Sequence, residues 1–439
     1  MRNREKSLAM QARGKARIPG MTQLLSKRPD MFSLGVWPGY YSRAKGASVW
    51  DLDGNEYLDM SIGGIGANVL GYADPEVDEA VVRAIRDGVS SSLNCPEEVE
   101  LADLLCELHP WAEMARFTRS GGEATTLAVR IARTHTGRDR VAFCGYHGWH
   151  DWYLAANVGT ENALGEHLIA GLAPNGVPRA LAGTALPFRF NRLEELEAIL
   201  RDHPGELGAV VLEPIRNDPP TEEFVRGVRA LADEAGAVLI VDEISSGFRL
   251  NCGGAHRLYG YEPDLAVFSK AMGNGYAVGA VIGRGRVMEA AQRTFISSTC
   301  WTERVGSAAA LATIRKFRRE RTERVLCARG EAIQSGWNEL IRRHGLEAHV
   351  SGILPMSHID FSGPDPQAQK AFYVQAMLES GILASNLFYA MGAHTEEHVR
   401  RYLARADEVF ASLAEALRAG SLRERLLGEP SATGFKRLN

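Results

Sequence analysis

Lysine is scarce in this chain. Of the 50 basic residues only eight are lysines, and between Lys45 and Lys316 there is one, Lys270. A lone lysine in a span where arginine carries the positive charge is not a routine solubilising group. Long apolar runs are missing too: none approaches the roughly 20 residues that cross a bilayer, so no membrane partner is expected. No basic block stands out from a chain that is 24% charged with a formal net charge of −4, which leaves no footing for nucleic acid. The run Arg315-Lys316-Phe317-Arg318-Arg319-Glu320-Arg321 reads as the solvated face of a helix. Six cysteines, Cys95, Cys106, Cys144, Cys252, Cys300 and Cys327, show no short paired spacing. That excludes a zinc knuckle and a disulfide framework, and fits the reduced thiols of a cytoplasmic protein. Met1 to Arg17 is basic and polar without the apolar centre of a secretory signal, and reads as a loosely held arm. There is no repeat and no low-complexity tract.

A chain of 439 residues exceeds one ordinary core, so two domains, or one large domain with an appendage, are expected. Ala47 to Asp59 alternates apolar and polar positions around Asp53-Gly54-Asn55, a β-hairpin pattern. Asp74-Pro75 opens a helix through Ile85, with an acid as cap and proline in the first turn. A second helix runs from Pro96 to about His109. Strands and helices then alternate: a helix from Ser120 through Arg133, a short strand at Arg140–Gly145, a strand at Gly208–Pro214, and a helix at Glu222–Ala235. Strands follow at Ala237–Asp242, Leu265–Lys270 and Val278–Gly283. Such alternation predicts an α/β fold, a mostly parallel sheet with helices on both faces. A long helix is expected after Ala308. From about Glu331 to Asn439 short strands and a final amphipathic helix near Glu396–Leu417 read as a smaller α+β domain, joined by the N-terminal hairpin.

Within that frame Lys270 ends an apolar run, and Asp242 ends another. A lysine at a strand end, desolvated by apolar neighbours, can act as an amine nucleophile. An acid at a neighbouring strand end can hold a pyridine nitrogen protonated, so the pair is what a pyridoxal phosphate site needs. Ser120-Gly121-Gly122-Glu123 stands where a loop becomes a helix, a place suited to phosphate. Tyr146-His147-Gly148-Trp149-His150 follows a strand, where an aromatic can stack on a flat cofactor ring. The two histidines lack a carboxylate or cysteine to complete a ligand set, so no metal is expected.

Ser120-Gly121-Gly122-Glu123-Ala124, Tyr146-His147-Gly148, Leu212-Glu213-Pro214, Val241-Asp242-Glu243-Ile244 with Gly247-Phe248-Arg249, and Ser269-Lys270-Ala271-Met272-Gly273-Asn274-Gly275 occur in one order. That order resembles the class III aminotransferases, and most closely their glutamate-1-semialdehyde aminomutase-like branch. The resemblance runs from Trp50-Asp51-Leu52-Asp53-Gly54 to Ala393-His394-Thr395-Glu396-Glu397. It implies a pyridoxal-phosphate-dependent transferase of fold type I. A large domain over residues 61–313 would carry a mostly parallel seven-stranded sheet. Residues 1–60 and 314–439 would form a small α+β domain. It further implies Lys270 as the Schiff-base lysine and the base that moves the proton, Asp242 on the pyridine nitrogen, and Tyr146 on the ring with His147 beside it. Ser120, Gly121 and Gly122 would hold the phosphate. Thr299 would reach the phosphate of the neighbouring subunit in a homodimer, and Glu213 would lie near the substrate.

The departures bear on the substrate. Where the family often has glutamine or methionine, three residues after the aspartate, this chain has Ser245. Contact with the ring hydroxyl then falls to another group, such as Asn217 or Asp218. The segment Leu34–Tyr40 lacks the arginine that the aminomutases use for a carboxylate, Ile65 replaces a pocket tryptophan, and Tyr389 stands where they place a glutamate. Loss of a carboxylate clamp would leave a buried anion unpaired, a cost large enough to redirect specificity. Trp37, Tyr40, Asn68, Asn386 and Tyr389 suit a polyhydroxylated substrate. The expected activity is therefore transfer of an amino group, with glutamate as donor, to an aldehyde or ketone of a polar, sugar-like metabolite. The alternatives are an intramolecular aminomutase, an amino-acid racemase using His147 or Tyr389 as second acid/base, and a non-catalytic scaffold.

Overall fold

The computed structural model describes residues 3–160, 163–165, 173–215 and 217–434. The chain divides into two compact units, residues 1–74 with 324–439, and residues 75–323.

The second unit is built on a seven-stranded sheet. Its strand order is Met114–Thr118, Gly279–Gly283, Leu265–Phe268, Val238–Asp242, Leu207–Leu212, Arg140–Cys144 and Ala185–Pro187. The last five strands of that order run parallel, and Gly279–Gly283 is antiparallel to both its neighbours. The central strands are buried on both faces, which is why they read as unbroken apolar runs rather than alternating ones. Helix Gly121–Thr136 packs one face with Leu127, Val129 and Ile131 against Val141, Val211 and Ile240. Helix Glu222–Ala235 covers the other with Phe224 and Val228 against Val210 and Leu239.

Two expectations are refined here. The helix after the sheet starts at Arg304 rather than Ala308, because the Glu303 carboxylate accepts from the amides of Val305 and Gly306 and caps it four residues earlier. Its arginines remain exposed, but they also pair across to neighbouring helices: Arg315 with Glu100, Arg318 with Glu107, Arg319 with Glu76.

The first unit joins the two ends of the chain. Strand Ile382–Ala384 lies parallel to Glu56–Met60, which the hairpin links to Ser48–Asp51 and Tyr41–Lys45. A second sheet holds Ala348–Ser351, Met356–Phe361 and Leu387–Tyr389. The N-terminus corrects the expectation of a loose arm. Glu5–Arg17 is a helix that buries Ser7, Gln11 and Gly14. It is pinned by Asp53, which accepts from the amides of Lys6 and Ser7, by Arg4 on the Val36 carbonyl, and by Gln11 on the Trp37 carbonyl at 2.6 Å. Polar residues anchor this helix, so its sequence carries no apolar stripe to announce it. Among the described residues no helix is long and apolar enough to cross a membrane.

Candidate active site

The carboxyl ends of the parallel strands converge the residues that carry the chemistry, the crevice where open α/β sheets bind ligands. Asp242 is the last residue of its strand and almost wholly buried. Its Oδ1 accepts from the amide of Ile244 at 3.0 Å, and its Oδ2 faces His147 Nδ1 at 2.8 Å. The other ring nitrogen of His147, Nε2, lies 3.1 Å from the Cys144 carbonyl. The ring is thus held between the Asp242 carboxyl and the Cys144 carbonyl. His147 is a clamp on Asp242, enclosed at 1% exposure. Thr125 ties this clamp to the helix start, since its hydroxyl meets the carbonyls of both Gly122 and His147.

Lys270 lies just past its strand, which stops at Phe268, and opens a 3-10 turn with φ at 45°. Left-handed backbone on a lysine costs of order 1–3 kcal/mol, and such strain is held where the surroundings over-determine it. Its Nζ donates to Ser245 Oγ at 2.8 Å. Burial, then the nearby Arg249 charge, push the amine down from its ordinary 10.5 to about 8, against the opposing pull of Glu213 and Asp242. Arg249 is fully buried and donates its Nε to the Ser245 carbonyl at 2.6 Å. Ser245 thus bridges the two cations, taking Arg249 on its carbonyl and Lys270 on its hydroxyl. The sequence marks Arg249 only as part of Gly-Phe-Arg, and nothing local says it turns back toward Lys270.

Ser120 caps helix Gly121–Thr136 in a capping box: its hydroxyl accepts from the Glu123 amide, and Glu123 accepts from the Ser120 amide. The first-turn amides of Gly121 and Gly122 have no intrahelical acceptor and meet the positive end of the helix. A side chain at Gly121 would strike Ile244 at 2.8 Å, and one at Gly122 would strike His150 at the same distance. The backbone is thereby kept bare where a phosphate would sit. Tyr146 is half-buried, and its amide donates to Glu213 Oε2 at 3.0 Å. Burial, then Asp242 and Glu213, raise its phenol above the ordinary value. Gly145, at φ 113°, is required between them because a Cβ there would lie 2.5 Å from Glu213 Oε2.

One unit therefore gathers Ser120, Gly121, Gly122, Tyr146, His147, Glu213, Asp242, Ser245 and Lys270. Asn217 and Asp218 are exposed. Thr299 is exposed on a turn anchored to Arg119, which donates to the carbonyls of Cys300 and Trp301. The five residues expected at the substrate belong to the other unit. Trp37 stacks on Phe32 at 4.1 Å and shares an apolar cluster with Tyr389. Tyr40 donates to the Met21 carbonyl, Asn68 to the Gly63 carbonyl, and the Asn386 carbonyl accepts from Ile359. The residues present fit pyridoxal phosphate: a buried acid for the ring nitrogen, a lysine of lowered basicity, bare amides at a helix start and a half-buried tyrosine just past a strand end.

Comparison with known proteins agrees. Residues 35–396 match the model of the class-III aminotransferase family. The chain is 31% identical over 427 residues to a 3-aminobutyryl-CoA aminotransferase of Cloacimonas acidaminovorans, covering 94% of this chain and 98% of that one. It is 35% identical over 389 residues to a 2'-deamino-2'-hydroxyneamine transaminase of Streptomyces kanamyceticus, covering 86% and 92%. Among solved structures, the pyridoxal-phosphate internal aldimine form of Sphingopyxis FumI superposes with a TM-score of 0.85 at 27% identity, covering 98% and 99%. An omega-transaminase of Sphaerobacter thermophilus gives 0.81 at 27%, covering 93% and 98%. Family, fold and site chemistry coincide: the chain belongs to the class III aminotransferases and is a pyridoxal-phosphate-dependent aminotransferase.

Proposed function

We propose that this aminotransferase moves an amino group from glutamate to the aldehyde or ketone of a polar, sugar-like metabolite. Pyridoxal phosphate, when bound, supplies the electron sink for the bonds broken at the amine-bearing carbon. Lys270 links to it and, once displaced, is the base that carries the proton. Asp242, clamped by His147 and the Ile244 amide, holds the proton on the pyridine nitrogen. Tyr146 faces the ring, Ser120, Gly121 and Gly122 donate to the phosphate, and Glu213 orders the mouth through the Tyr146 amide. The observation that carries this reading is the Lys270 amine, held on Ser245 beside Arg249 with its basicity lowered, close to the buried Asp242.

A polyhydroxylated acceptor is supported by the relative named for a hydroxyneamine, and by the absence of an arginine in Leu34–Tyr40. Trp37, Tyr40, Asn68, Asn386 and Tyr389 are proposed to shape its pocket. We place the enzyme in the cytoplasm as a homodimer, in which the exposed Thr299 reaches the partner's cofactor phosphate; none of its six cysteines is in a disulfide. The test is an absorbance titration of the holoenzyme with a panel of amino donors, followed by carbonyl acceptors. Bleaching of the lysine-linked cofactor band by glutamate, and its return with a polar aldehyde, supports the reading. Turnover of a semialdehyde amine with no external donor would move the enzyme to the aminomutase branch instead. Exchange of the α-hydrogen with no bleaching by any donor would move it to a racemase.

A further inference from the structure

Along one face of helix Gly121–Thr136, Thr126, Arg130 and Arg133 recur at the spacing that stacks side chains in one stripe. With Trp149, His150 and Trp152 opposite, they line a cavity of about 590 Å³. Its polar lining is rich in donors. Thr126 Oγ1, His150 Nδ1 and Trp152 Nε1 are buried without a hydrogen-bond partner among the described residues. The indole N–H of Trp152 can only donate, and the residue is 5% exposed, so no described residue satisfies it and it is largely shielded from bulk water. An unmatched buried polar atom is costly, and three around one cavity, one of them an obligate donor, ask for a polar ligand that can accept.

The charges agree. Arg130 spends one N–H on the Phe295 carbonyl at 3.1 Å, and Arg133 one on the Asp139 carbonyl at 2.8 Å. Each guanidinium has five N–H donors, so both keep capacity for an anion. Burial works against the Arg133 cation, and so does the neighbouring Arg130, while Asp139 opposes them. Among the described residues of the lining, Asp151, exposed at the rim, is the one acid. Trp149 is 69% exposed and stacks on His150 at 4.3 Å, a flat apolar plate at the mouth.

We propose that this cavity binds the phosphate or carboxylate group of a small organic anion, with the body of the ligand resting on Trp149. It is a second site. The wall is nonetheless shared with the first: His150 lies where a side chain on Gly122 would be, and Trp152 stacks on His147 at 6.1 Å.

The test is calorimetric titration of the holoenzyme, whose own phosphate site is filled, with phenyl phosphate, benzoate and inorganic phosphate. The expected result is saturable binding of phenyl phosphate or benzoate, one per chain, with the cofactor retained. Trp152→Phe, which keeps a ring but deletes the donor, and Arg133→Gln should each weaken it about tenfold or more. Thr126→Val, nearly the same shape, guards against a folding defect in either. Inorganic phosphate binding as tightly as phenyl phosphate would overturn the organic body and leave a bare oxyanion. No saturable binding, binding that all three variants leave unchanged, or binding that expels the cofactor would each overturn the site.

Discussion

In the cofactor-free protein, the Lys270 amine should react as a far weaker base than an ordinary lysine, as should Lys370, which burial lowers as far. With its half-point lowered from 10.5 to about 8, roughly a quarter of it is the free amine at pH 7.5, against about one in a thousand for an ordinary lysine. The difference, about 3 kcal/mol, comes first from burial and then from Arg249. Reductive methylation over about pH 6 to 11, read by peptide mass spectrometry, measures it directly. The peptide is unambiguous because no other lysine lies between Lys45 and Lys316. Arg249→Met removes the cation, so the half-point should climb toward 10.5, and each unit of climb cuts the free amine at pH 7.5 about tenfold. The same displacement bears on stability. A folded value below the unfolded one means that the unfolded chain binds the extra proton, so Lys270 opposes folding fully below about pH 8. That penalty fades as pH rises from about 8 to 10.5. Lys270→Met should therefore stabilise the cofactor-free protein at neutral pH, with the gap closing above about pH 10.5. A parent half-point near 10.5, or an Arg249→Met half-point that falls, would refute the reasoning.

Lys270→Ala should lose the absorbance of lysine-linked cofactor while its circular dichroism stays that of the parent; a retained band would remove Lys270 from its role. Asp242→Asn should still bind cofactor yet lose activity by orders of magnitude in a steady-state transaminase assay, because an amide cannot stabilise a protonated ring nitrogen. The same variant perturbs the buried hydrogen bond with His147, so urea unfolding should show a loss of about 1–3 kcal/mol. Gly145→Ala meets both a positive φ and the Glu213 carboxylate, and should lower the melting temperature and weaken cofactor retention, whereas Gly137→Ala, with open space at its Cβ, should cost far less.

What the sequence determined by itself was local or carried by motif order. Buried central strands read as apolar runs, the Ser120 box and the Asp74-Pro75 start read as helix openings, and Asp242 and Lys270 stood out because acids and lysines at strand ends are chemically expensive. Each of those signals lies within a few residues of what it specifies. The Glu5–Arg17 helix escaped because its anchors, Asp53 and the carbonyls of Val36 and Trp37, lie tens of residues away. Only the tertiary structure decided that His147 serves Asp242, 95 residues on, and that Ser245 joins Arg249 to Lys270. Those partners meet because parallel strands bring distant loops to one sheet edge. A hydrogen bond depends on position to within tenths of an ångström, and no periodicity along the chain encodes that. The same folding brought Thr126, His150 and Trp152 together around one cavity, each with a buried polar atom that no described residue meets.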